Sequence, residues 1–239
     1  MSKKTSVVKS FYREEVLEKF RIALEEAKAG VMSGDPYYLK IHVSNGNVKM
    51  GDVPSISTMP FLTCPGICKG TCGIKCYAAK IANLRPSVLK SYAANTALMM
   101  LRPDIYWTML NAMIKAYRYF RFHVSGDITD MKYFDNMVNI ARENGHCEIL
   151  VFTKRYNVVN MWISENGNLP ENLHVLFSGW ENLTPENPHN LPETNVIMPD
   201  MPEIPDGWKM CGGNCFNCAC RGVGCWQAKK GETIAFKLH

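Results

Sequence analysis

"YFRFHVSGDITDMKYFDNMVNIARENGHCEILVFTKR", residues 119–155, holds the repeating unit from which the fold class follows. "YFRFHVSGD" reads as a strand running out into a glycine-containing loop, "MKYFDNMVNIAREN" as a helix, and "CEILVFTKR" as a second strand. The alternation continues with a short helix, "VVNMWISEN", and the strands "LHVLFSGW", "TNVIMPD" and "ETIAFKLH". Strands separated by helices pair in parallel through right-handed crossovers. About six of them make a partial or complete βα barrel, or an open sheet. The expected class is therefore α/β, a partial (β/α)6-type barrel.

Upstream, "SISTMPFLT" is strand-like and runs into a cysteine loop. The patterning predicts a helix over 86–101, with Pro86 in its first turn and a stripe of Val88, Tyr92 and Met99. A second helix is expected over 103–118, with Ile105, Met109, Ala112 and Ala116 on one side. Nearer the start, Val16, Phe20, Ala23, Leu24 and Ala27 predict an amphipathic helix from Phe11 to about Val31. "YYLKIHVSNGNVKMGD" reads as a β-hairpin turning at Asn45-Gly46. Three segments result: 1–54 with the helix and hairpin, 55–200 as a barrel-like core, and 201–239 as a cysteine-rich metal-binding extension.

Nine of the ten cysteines lie in two patches. "TCPGICKGTCGIKCYAAK" (63–80) holds Cys64, Cys68, Cys72 and Cys76 at every fourth position. "CGGNCFNCACRGVGCW" (211–226) holds Cys211, Cys215, Cys218, Cys220 and Cys225. The N-terminus is charged and lacks a signal peptide's apolar core, and no stretch approaches the ~18 apolar residues that cross a bilayer. A cytoplasmic protein with no membrane partner is expected. In that reducing setting, clustered cysteines point to metal or redox work rather than disulfides.

Soft thiolates select zinc or iron–sulfur centres over hard ions. At the first patch, Cys64-x3-Cys68 and Cys72-x3-Cys76 suit the paired ligands of zinc, whereas a compact run of near-equidistant thiols suits a cubane. At the second, Cys211, Cys215, Cys218 and Cys225 suffice for a cluster or a zinc ion, with Cys220 a fifth thiol and Trp226 a shield. Cys147 reads as a small buried hydrophobe.

The loops after the strands would share one face with the first cysteine loop, as in βα barrels. Ser125, Gly126 and Asp127 are then candidates for a cofactor site, since glycine admits close backbone approach and a carboxylate holds an ammonium or hydroxyl. The alternative is that Asp127 caps the following helix. Lys154 and Arg155 could meet an anion or be a solvated pair. His123 reads as packed and the methionines as core. No phosphate-cradling P-loop occurs. The net charge of +5 includes no run of like charge and reads as a solvated surface, which leaves nucleic acid an open partner.

The string Cys64-Pro65-Gly66 and Cys72-x3-Cys76-Tyr77-Ala78 resembles the gene product eighty-eight family of phage and mobile-element proteins. Asn95, "RFHVSGD", "FTKRY", "FSGW" and the cysteines before Trp226 extend the likeness over most of residues 55–226. That family looks like a relative of radical S-adenosylmethionine (SAM) enzymes. The resemblance implies a barrel of that kind, a 4Fe-4S cluster at the first patch and an auxiliary cluster at the second. It also implies SAM as cofactor, an unknown substrate and a flavodoxin- or ferredoxin-type reductant. The spacing departs from the usual C-x3-C-x2-C, and a ligating Cys68 would saturate the first cluster. Two other readings stand beside this enzyme: an iron–sulfur electron-transfer or redox-sensing protein, and a zinc-stabilised nucleic-acid-binding phage protein.

Overall fold

The computed structural model describes residues 10–199, 201 and 203–238. Residues 1–9, part of the stretch read as lacking a signal peptide, lie outside them, as do the ends of "TNVIMPD" and "ETIAFKLH". The chain begins with helix α1 (Glu14–Ser33), whose buried face is Val16, Leu17, Phe20, Leu24, Ala27 and Val31. It stops at Gly34, which takes the left-handed conformation (φ 77°) that suits glycine at a helix end.

Strand β1 (Val43–Ser44) follows, but it does not form the expected hairpin about Asn45-Gly46. It pairs antiparallel with β2 (Ser55–Ile56), across the ten residues 45–54. The segment between them forms a tight turn closed by a bridge from Asn47 to Gly51. The Asn47 carboxamide oxygen accepts from the backbone N–H groups of Lys49 and Met50, a local bond that outcompetes strand pairing.

Helices α2 (Tyr77–Leu84), α3 (Pro86–Leu101) and α4 (Pro103–Ile114) separate β2 from β3 (Tyr119–Phe122). Proline stands at the first position of both α3 and α4, where no N–H is needed. α3 is not buried on the expected stripe. From Ala93 to Met99 it is buried all round, because α1 and α4 both pack on it, while Val88 and Tyr92 are only half-buried. In α4 the buried stripe is Tyr106, Leu110 and Ile114, one residue beyond the expected one, and Ala112 and Ala116 are exposed.

The alternation then runs as expected: α5 (Met131–Glu143), β4 (Glu148–Thr153), α6 (Tyr156–Asn166), β5 (Leu173–Ser178) and β6 (Glu193–Ile197). Strand β7 (Lys209–Met210), helix α7 (Cys215–Arg221) and β8 (Thr233–Lys237) complete the chain. The result is one eight-stranded, mostly parallel sheet of order β1-β2-β3-β4-β5-β6-β8-β7. Strands from all three segments of the sequence lie in it. Six strands, β2 to β6 and β8, are parallel neighbours in chain order.

Period-two alternation gives the sheet two different faces. Phe120, Phe122, Ile149, Val151, Val175 and Phe177 pack under the helices. Leu150, Leu176 and Ile234 point the other way, onto Met50, Val53, Ala219 and Trp226. The cysteine-rich C-terminal segment thus covers the second face, at ~1.5–3 kcal/mol for each large apolar side chain fully buried. No described helix is long and apolar enough to cross a membrane.

Candidate metal centres

Parallel strands end on one side, so the loops after β2, β3, β4 and β5 meet there. His123 (φ 57°) and Gly126 (φ 82°) turn the chain out of β3. A Cβ on Gly126 would lie 2.0 Å from Thr58 Oγ1 and 2.6 Å from Thr63 Oγ1, so glycine is what lets this loop press against the approach to Cys64. Ser125 completes the latch. Its hydroxyl donates to the Thr58 carbonyl (2.9 Å) and its own carbonyl accepts from the Thr58 N–H (3.0 Å).

Beyond the latch, two 3-10 turns, Gly66–Gly70 and Cys72–Lys75, carry Cys68 and Cys72, with Cys64 just before the first and Cys76 just after the second. A Cβ on Gly73 would sit 2.3 Å from the Cys68 carbonyl oxygen, so this glycine allows the turns to stack. Cys76 caps α2, its sulfur accepting from the Ala79 N–H at 3.4 Å. Cys64, Cys68, Cys72 and Cys76 together line one cavity of about 160 Å³, with His123, Ser125, Gly126, Asp127 and Lys154 on its other walls.

At Cys68, Cys72 and Cys76 the electrostatics are those of crowded thiols held neutral. The adjoining Cys64 sulfur, then burial, pushes the Cys68 thiol well up. The Cys68 sulfur, then burial, does the same to Cys72. Burial pushes Cys76 up to about 11. Lys154 opposes all three shifts, so it is the cation facing this group, and its Nζ donates to Ser178 Oγ at 2.5 Å. A bound metal cation would displace these protons and hold thiolates where no proton leaves unaided.

Asp127 neither caps α5 nor offers a free carboxylate. Asp130 is the cap, accepting from the Tyr133 N–H at 2.8 Å. Asp127 accepts from the Ile128 N–H (2.7 Å), the Thr153 hydroxyl (2.6 Å) and the Lys154 N–H (2.9 Å), tying the β3 loop to the end of β4. Burial raises its pKa, and these bonds hold the position of Lys154. Arg155 is likewise engaged, its Nε donating to the Ile128 carbonyl.

At the second patch, Cys215 and Cys218 lie one turn apart on α7 and face Cys211 and Cys225. All four pack against the cluster formed by Trp226, Leu150 and Ile234. Burial, with Cys211, Cys215 and Cys218 adding, pushes the Cys225 thiol up to about 12, and burial also raises Cys218. Gly212 and Gly224 bring bare backbone to the Cys218 sulfur, where added Cβ atoms would stand 3.0 and 3.5 Å away. Trp226 is 2% exposed, donates from Nε1 to the Cys215 carbonyl and belongs to the cluster against which the four cysteines pack. Cys220 is not brought to it. Five positions after Cys215, it falls on another face of the helix and is exposed.

Sequence reasoning missed three contributors. The turn at 47–51 clamps α7, because the Lys49 and Met50 carbonyls accept from the N–H groups of Cys215 and Phe216. Arg121, at the centre of β3, reaches Met50 Sδ (3.1 Å) and Cys215 Sγ (3.8 Å). The alternation of "YFRFHV" was the signal, since it turns Arg121 away from Phe120 and Phe122. His123, buried and lining the first cavity, has no partner for either ring nitrogen among the described residues, and burial lowers its pKa to about 3. Asn95 is structural: its carboxamide bonds the backbone of His42 and Ser57.

All ten cysteines are free. Among the described residues, no three His, Cys, Asp or Glu side chains converge closely enough to share a single metal ion. Cys64, Cys68, Cys72 and Cys76 stand on the walls of one cavity, and Cys211 and Cys215 on those of another. The model of the gene product 88 family matches residues 22–234 of this chain. Neither the curated proteins nor the solved structures yielded a match.

Proposed function

The chain belongs to the gene product 88 family, and we propose that it is an iron–sulfur protein with two centres, one on each four-thiol group. The observation that carries this reading is the gathering of Cys64, Cys68, Cys72 and Cys76 on the walls of one cavity. Lys154 faces them, and the oxygens of Asp127, the carboxyl group on those walls, are already engaged. An all-sulfur donor set suits iron–sulfur or zinc. Zinc would need four thiolates at about 2.3 Å; a compact run of near-equidistant thiols in one cavity suits the corners of a cluster, and that is the form proposed.

Such clusters supply one-electron chemistry. The chain's own part is to hold the thiols, offset their charge and keep water away. Lys154 does the second at the first centre and Arg121 at the second, while Trp226 does the third. Because Cys68 stands with the other three, the form favoured is a fully ligated electron-transfer or redox-sensing protein.

A second reading, a radical-SAM-like enzyme, draws support from six parallel strands neighbouring one another in chain order, as in a partial barrel. It requires one thiol of the first group to stand aside so that SAM can bind. The zinc-stabilised nucleic-acid-binding protein is the third.

Iron, sulfide and zinc content of anaerobically prepared protein, with electron paramagnetic resonance after dithionite, tests all three. Iron with comparable sulfide and a reducible paramagnetic signal is expected. Zinc without iron, together with salt-sensitive DNA binding, would replace the proposal with the third reading. Formation of 5′-deoxyadenosine from added SAM would replace it with the second.

A further inference from the structure

The two thiol groups open into adjoining cavities. One, of about 310 Å³, lies beside Cys72 and Cys76; the other, of about 500 Å³, lies beside Cys211 and Cys215. Tyr77, Arg121, Val124, Phe236 and Lys237 line both, so the two make one cleft. Its walls carry Lys49, Lys75, Arg121, Lys154 and Lys237, and no Asp or Glu. Among the described residues, none of these five cations is in a salt bridge.

Arg121 is the centre of this charge. Its guanidinium lies over the Phe152 ring, 4.5 Å from the centroid, and its Nε is buried without a partner among the described residues. Two sulfurs are the acceptors it does reach. A guanidinium withdrawn from water costs free energy unless an anion accompanies it. The thiol groups answer in part for Lys154 and Arg121, but five cations converging on one cleft call for a multiply charged anion. Arg and Lys recognise phosphate oxygens through forked and point-charge hydrogen bonds. Tyr77, Phe152, Trp180 and Phe236 are aromatic side chains lining the smaller cavity, whose volume is near the low end of ligand pockets, roughly 300–1,000 Å³.

We propose that this cleft binds a phosphate monoester carrying a flat ring, a molecule of mononucleotide size. Its binding does not depend on the iron–sulfur reading, although a ligand held there would lie between the two centres.

Isothermal titration calorimetry of the full chain, prepared anaerobically, tests the site with adenosine 5′-monophosphate, using neutral adenosine as control. The monophosphate is expected to bind, and adenosine to bind about tenfold more weakly or not at all. Arg121→Gln and Lys237→Gln should each weaken the monophosphate by about five- to tenfold. Lys237 is exposed at the end of β8, so its variant folds even if that of Arg121 does not. Failure of the monophosphate to bind, equal binding of adenosine, or an unchanged affinity in Lys237→Gln would each overturn the proposal. Iron and sulfide measured on the same samples separate the two conclusions. Iron-free protein that binds the monophosphate sustains this one, and iron-loaded protein that ignores it defeats it.

Discussion

The Arg121 guanidinium stands 3.8 Å from the Cys215 sulfur and 3.1 Å from that of Met50, with no ion-pairing carboxylate among the described residues. A cation so placed favours the more negative, reduced state of whatever the thiolates hold. Arg121→Gln is therefore expected to lower the reduction potential of the second centre, on the order of 50 mV, and to leave the first nearly unchanged. A redox titration followed by electron paramagnetic resonance reads both. An unmoved potential would show that Arg121 does not act on that centre.

Cys220 and Cys218 differ by two positions and by the face of α7 they occupy. Cys220→Ser should keep the iron content and thermal stability of the wild type. Cys218→Ser should lose about half the iron and loosen the C-terminal segment, since ligation contributes folding energy there. Trp226 fluorescence, elemental analysis and a thermal melt distinguish the pair.

Cys68 decides whether the first centre is saturated. Cys68→Ala is expected to cost that centre its iron or to change its paramagnetic line shape. Unchanged iron and line shape would instead indicate three-thiol ligation and favour the SAM-dependent enzyme.

Gly126→Ala puts a side chain at a positive φ and into the space of two threonines. The expected cost is ~2 kcal/mol or more, with loss of the first centre in preference to the second. Urea denaturation and iron content measure the two effects. An alanine variant of wild-type stability with both centres intact would show that the latch does not position the cysteine loop.

Cys147, in the core one residue before β4, is 0% exposed, and burial pushes its thiol up from 9.0 to about 12. Its neutral form is the folded one. It therefore contributes stability below about pH 9, and that contribution is lost as the pH rises toward 12. Between pH 8 and 10.5 the wild type should lose more stability than Cys147→Ala, as read from urea midpoints. Parallel declines would place the alkaline transition elsewhere.

The sequence by itself determined the alternation of strand and helix from β3 to β5, because periods of two and 3.6 are local properties. It placed α1 and α3 to within a few residues, and proline marked where α3 and α4 begin. It also gathered the thiols into two patches and set the loops after β3, β4 and β5 beside the first, since parallel strands share an end. Tertiary structure alone decided which residues meet. Asn47 bonded its own turn, so the supposed hairpin became a clamp on α7, with β1 pairing across a longer loop. Asp127 satisfied three donors around it and became a brace for Lys154. Cys220 was turned out by the helix pitch, and Arg121 was aimed at the second thiol group by the face of a strand. Each of these outcomes depends on partners far apart in the chain, whose approach is set by burial and loop closure.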